Sequence, residues 1–104
     1  MLRINKYIFF DVCDKNIDSY NDVVETIKTE YFKTIEELNN ETDCSRIRKI
    51  IHKLSGIVLL LEGSNKEVTY IIKSILSIDK HSNDLEAYKF YINMLTNLNT
   101  DNLF

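Results

Sequence analysis

His52 is one of two histidines in this 104-residue chain, and its neighbours are side chains that could serve an imidazole nucleophile. On a helix advancing about 100° per residue, Ser45, Gly56 and Gly63 project close to it. Arg48 and Ser55 fall on one flank and Lys49 on the other. An imidazole that attacks a phosphorus atom in a partner's active site needs exposure, clearance and compensation for phosphate charge. Gly56, four residues on, removes the side chain that would cover one flank of His52. Arg48, Lys49 and Lys53, with Ser55 beside them, offer support against the roughly −2 charge of a phosphoryl group. Leu59, two turns along the same face, supplies apolar surface for docking. Each feature also has an ordinary explanation. A lone exposed histidine is most often solvated, Gly56 would permit close helix packing, and the basic trio would form a solvated face. The rest of the chain holds no phosphate-cradling glycine loop, no metal-ligand cluster and no paired carboxylates. His81 falls at a predicted helix junction, where a capping or solvated role is expected.

The element that would present His52 reads as an amphipathic helix over about Asp43 to Glu62. Ile47, Ile50, Ile51, Leu54, Val58 and Leu61 form a core stripe nearly opposite the histidine. Asp43 or Ser45 is the expected N-cap, and Gly63, Ser64 and Asn65 the stop. Arg46, Arg48 and Lys49 sit early in this helix, where positive charge opposes the macrodipole. Helix stability alone would not select them there, so another purpose is implied. A preceding helix is expected over Asn21 to Leu38, carried by Val23, Val24, Ile27, Tyr31, Ile35 and Leu38 and capped by Asn21 or Ser19. Two further helices follow, Lys66 to Lys80 and Asn83 to Asn97, the second capped by Asn83 or Ser82. Met1 to Ser19 reads as an extended lead-in or short helix that lays Ile8, Phe9 and Phe10 over the end of a bundle.

Composition agrees. The chain has no proline and two glycines, whereas turn-rich β folds need both at many corners. The expectation is therefore an all-α single domain over 1–104, an up-down-up-down antiparallel four-helix bundle with its core at about 21–98. A net charge of −3 argues against a phosphate-tracking nucleic-acid binder. Cys13 and Cys44 fit no metal or redox spacing and read as reduced thiols. No stretch approaches the roughly 18 apolar residues of a membrane span, and no signal-peptide cleavage pattern follows Tyr7 to Phe10. The expected location is the cytoplasm.

The arrangement H-K-L-S-G at His52 to Gly56, on the second of four expected bundle helices, resembles histidine-containing phosphotransfer (HPt) domains. Their pattern is approximately H-x-L-K-G-S, two further small residues and then a glycine. His52, Leu54 and Gly56 match it in place. Ser55 stands where the family has lysine, Ile57, Val58 and Leu59 replace its small residues, and Gly63 comes one residue late. The resemblance implies a phosphorelay intermediate rather than an autonomous enzyme. His52 would accept a phosphoryl group from a receiver-domain aspartate and pass it to another receiver. The chain would have no metal or cofactor of its own, Mg²⁺ being expected on the receiver. Implied partners are response-regulator receiver domains or a hybrid sensor kinase, with no nucleic acid or membrane. A monomer is expected, with a homodimer open. The rival expectation is a non-catalytic HPt-like adaptor that binds a kinase or response regulator without phosphotransfer. A third is an unrelated oligomerising bundle with Leu59 and Leu60 as its apolar seam.

Overall fold

The computed structural model describes residues 13–60 and 66–98. Among them are four helices and no strand: α1 (Ile17–Asn40), α2 (Cys44–Val58), α3 (Lys66–Leu76) and α4 (Leu85–Leu98). Each helix packs against the next, and α4 returns to lie against α1. No helix of the described residues is long and apolar enough to cross a membrane. The expected placement of Ile8, Phe9 and Phe10 over the bundle end lies outside the described residues, as does Gly63.

The core follows the 3.6-residue period. Ile27, Tyr31, Ile35 and Leu38 of α1 meet Ile47, Ile51, Leu54 and Val58 of α2. Val68, Ile71, Ile72 and Ile75 of α3 and Tyr88, Ile92 and Leu95 of α4 complete the cluster. Each aliphatic side chain fully removed from water contributes roughly 1.5–3 kcal/mol before conformational entropy is set against it. Ile50, expected in the stripe, is only half-buried at the α1–α2 edge. Thr34 is the buried polar residue of the core, and its hydroxyl donates to the Glu30 carbonyl at 2.6 Å.

Helix ends differ from expectation where local polar geometry overrides apolar periodicity. α1 starts before Ser19 and Asn21 because the Asn16 side chain accepts from the amides of Asp18 and Ser19, at 3.0 and 3.1 Å. Asp14 and Lys15 lead into that cap with φ of 49° and 60°. Asp43 caps α2 as anticipated, accepting from Ser45 and Arg46 at 2.9 and 3.2 Å. The α-helical part of α2 closes at Val58 rather than Glu62. There the Leu60 amide donates to Ile57 instead of Gly56, a tighter terminal turn. α3 stops at Leu76 rather than Lys80, and the Ile78 amide turns back to Ile75. At the start of α4 neither Ser82 nor Asn83 caps the helix. Asp84 takes that role, its carboxylate accepting from Ala87 at 3.2 Å, while Ser82 Oγ accepts from the Asp84 amide.

Candidate functional site

α2 is the most basic of the four helices in a chain of net negative charge. It carries Arg46, Arg48, Lys49 and Lys53 and no carboxylate, whereas α1 beside it carries Asp18, Asp22, Glu25, Glu30, Glu36 and Glu37. Because Ile47, Ile51, Leu54 and Val58 turn inward, His52 turns outward and is exposed. Its ring has no hydrogen-bond or ion-pair partner among the described residues. Lys49, one turn earlier on the same face, is likewise exposed. Gly56 follows one turn later, and a Cβ built on it would meet nothing within 4 Å. Close helix packing therefore does not explain this glycine. Beyond it Leu59 is 78% exposed and Leu60 36%.

The flanks of α2 are used differently. Toward α1, Lys53 Nζ stands 3.6 Å from Glu37 and 3.9 Å from Glu30. These groups are all more than a third exposed, so each pair contributes at most a few tenths to about 1 kcal/mol. Toward the α3–α4 turn, the Arg48 guanidinium donates to the Ile78 carbonyl at 2.8 Å and the Leu76 carbonyl at 3.4 Å. It also donates to the Tyr88 hydroxyl at 3.3 Å. Leu76 is the last residue of α3, so a cation placed there satisfies terminal carbonyls and complements the negative helix end. Arg48 is thus half-buried and tied to the fold, which supplies the purpose its position in α2 implied. Of the expected charge-supporting set, Lys49 has no side-chain hydrogen bond or ion pair among the described residues, Lys53 is shared with α1, and Arg48 is directed to the α3–α4 turn.

Ser55 lies in a groove of about 420 Å³ between α2 and α3, together with Leu59, Thr69 and Lys73. Lys73 is a cation that the sequence did not single out. It sits 21 residues from His52 on another helix, and no local spacing connects the two. Its only sequence signal is that it stands among the polar positions of α3, one residue after the inward-facing Ile72. His81 is exposed in the α3–α4 turn, where its amide donates to Asp79, and it takes no part in this face. Cys13 and Cys44 are free thiols, and among the described residues no group of three or more His, Cys, Asp or Glu could hold a metal ion.

No family model matches this chain, and no solved structure matches it. It is similar to the Lon protease homolog, mitochondrial 1, of Dictyostelium discoideum, with 34% identity over 100 residues. That alignment covers 94% of this chain and 10% of the other protein, so the chain spans about a tenth of the length of the curated relative it matches.

Proposed function

We propose that this chain is a phosphocarrier of the histidine phosphotransfer kind, its helices running up-down-up-down, with His52 as the phosphorylated residue. Neutral His52 attacks the phosphorus of a receiver's aspartyl phosphate through Nε2. The N–P bond forms as the acyl O–P bond breaks, the receiver's carboxylate leaves, and the ring's Nδ1 proton remains in place. A second receiver's aspartate reverses the chemistry. Phosphoryl transfer mainly requires positioning and charge neutralisation, and the receiver with its Mg²⁺ supplies most of both. The small domain supplies an exposed nucleophile, Lys49 on the same face, and Leu59 as apolar docking surface. Such a relay runs in the cytoplasm.

The observation that carries this reading is the exposed His52 followed, one turn on, by a glycine with open space above it. The test is incubation with a panel of phosphorylated receivers and Mg²⁺, followed by assay for acid-labile, alkali-stable label. Wild type is expected to label and His52→Gln to remain unlabelled. The carrier reading fails if wild type takes no label from any receiver or if His52→Gln labels equally.

A second reading is favoured by one observation: Arg48 and Lys53 are engaged within the fold rather than grouped around His52. On this reading the chain is a non-catalytic helical adaptor, and the α2 face binds an acidic receiver or kinase surface without carrying phosphate. Binding of a receiver that weakens in Lys49→Glu and Leu59→Asp, is unchanged in His52→Gln and never leaves label would select it.

A further inference from the structure

The groove between α2 and α3 has a composition that the phosphocarrier reading does not require. Its apolar surface is formed by Val58, Leu59, Ile72 and Leu76, and three polar side chains line it: Ser55, Thr69 and Lys73. Hydroxyls on helices ordinarily return to the carbonyl four residues back. Thr26, Thr34, Ser74 and Thr96 all do so here, at 2.6–2.9 Å. Ser55 and Thr69, like Thr29 in α1, have no side-chain hydrogen bond among the described residues; Thr29 is exposed to water, whereas Ser55 and Thr69 are half-buried. Lys73 has no carboxylate within ion-pair distance among the described residues, in contrast to Lys53 on the opposite flank of α2. Two hydroxyls and one cation without a partner among the described residues thus border an apolar groove, and α2, Cys44–Val58, brings no carboxylate to it.

We propose that this groove binds a small monocarboxylate on an apolar stem, Lys73 Nζ and the hydroxyls of Ser55 and Thr69 receiving the carboxylate. Leu59 and Leu76 cover the stem, over a floor of the nearly fully buried Val58 and Ile72. A carboxylate carries a single negative charge, which one ammonium matches. A phosphate monoester would bring nearly twice that charge against the same lysine. Charge-assisted hydrogen bonds fix the head, and burial of the stem supplies the non-directional part of the affinity. His52 does not line this groove, so the inference goes beyond phosphoryl transfer.

The test is titration of the ¹⁵N-labelled chain with hexanoate, followed by amide shifts, with hexan-1-ol and inorganic phosphate as comparison ligands. Hexanoate is expected to give saturable shifts at Ser55, Thr69, Ile72 and Lys73. Lys73→Met should weaken binding about tenfold or more, and the Ser55→Ala/Thr69→Val pair should weaken it further. Lys73 is exposed, so Lys73→Met should keep the amide dispersion of wild type, which the same spectra report. His52→Gln should bind hexanoate as wild type does, which separates this site from the labelling reaction. Equal binding of hexan-1-ol would reduce the groove to an apolar dent. Equal binding of inorganic phosphate would reduce it to a general anion contact. Either result, an unchanged Lys73→Met affinity, or shifts that do not saturate overturns the proposal.

Discussion

The cations on and around α2 fall into two groups, one held by the fold and one without an acceptor among the described residues. Toward α1, Lys53 meets Glu30 and Glu37, and at the α3–α4 turn Arg48 meets the carbonyls of Leu76 and Ile78. Toward the α3 groove and on the outer face, Lys73, Lys49 and His52 meet no acceptor among the described residues. The first set belongs to the fold, whereas the contacts among the described residues do not engage the second. Four cations and a histidine within eight residues of α2 look like one functional cluster in the chain. Partitioned by flank, they are three separate environments, and a count of nearby charges overstates what a phosphoryl group at His52 would feel.

That contrast can be broken from the inside outward. The largest expected effect is at Ile51, which is fully buried in the stripe that orients both flanks. Ile51→Ala should cost about 2–5 kcal/mol in urea unfolding, and a loss well below that range would mean α2 is not seated as described. Next is Arg48→Met, which keeps much of the stem and removes three donated bonds. A loss of about 1–3 kcal/mol is expected, with faster hydrogen exchange at the end of α3. If Arg48 instead serves phosphate, stability will barely move while labelling falls. Lys53→Met should change stability by no more than about 1 kcal/mol. A Lys53/Glu37 double-mutant cycle in 1 M NaCl should show the coupling vanish, since screening at that salt acts over about 3 Å. A coupling that survives high salt would place the pair in a drier setting than its exposure indicates.

Much of the scaffold was legible in the chain because the information is local and periodic. Ile47, Ile51, Leu54 and Val58 recur at helical spacing, which alone sets the inward face and leaves His52 outside. Asp43 was legible as a cap because it immediately precedes that stripe. Asn16 was not, because the first turns of α1 hold Ile17, Asp18 and Ser19, all exposed, and periodic apolar positions begin only at Val23. Nor was the end of α2. Val58 to Leu61 continues an apolar run with no breaker before Gly63, whereas the described chain tightens after Val58. Ser82, Asn83 and Asp84 are three adjacent capping residues, and their phase against α4 decides between them. The fate of Arg48 and the presence of Lys73 beside Ser55 depend on which helices lie next to α2. Spacing within α2 carries no such information.

Gly56 separates stability from function more finely than any of these positions. A glycine inside a helix is less favourable than alanine by about 0.5–1 kcal/mol, and a Cβ here would touch nothing. Gly56→Ala should therefore raise stability by about that amount, a small gain visible as a higher urea midpoint with an unchanged slope. A gain that the fold leaves unused calls for a reason outside the fold. If the open surface beside His52 exists for a receiver to approach, Gly56→Ala will stabilise the chain and slow labelling together. Gly56→Leu, which fills the same space, will slow it much more while the chain stays folded. If Gly56→Leu labels at the wild-type rate, clearance is not what this glycine provides, and the outer face loses its main geometric argument for phosphotransfer.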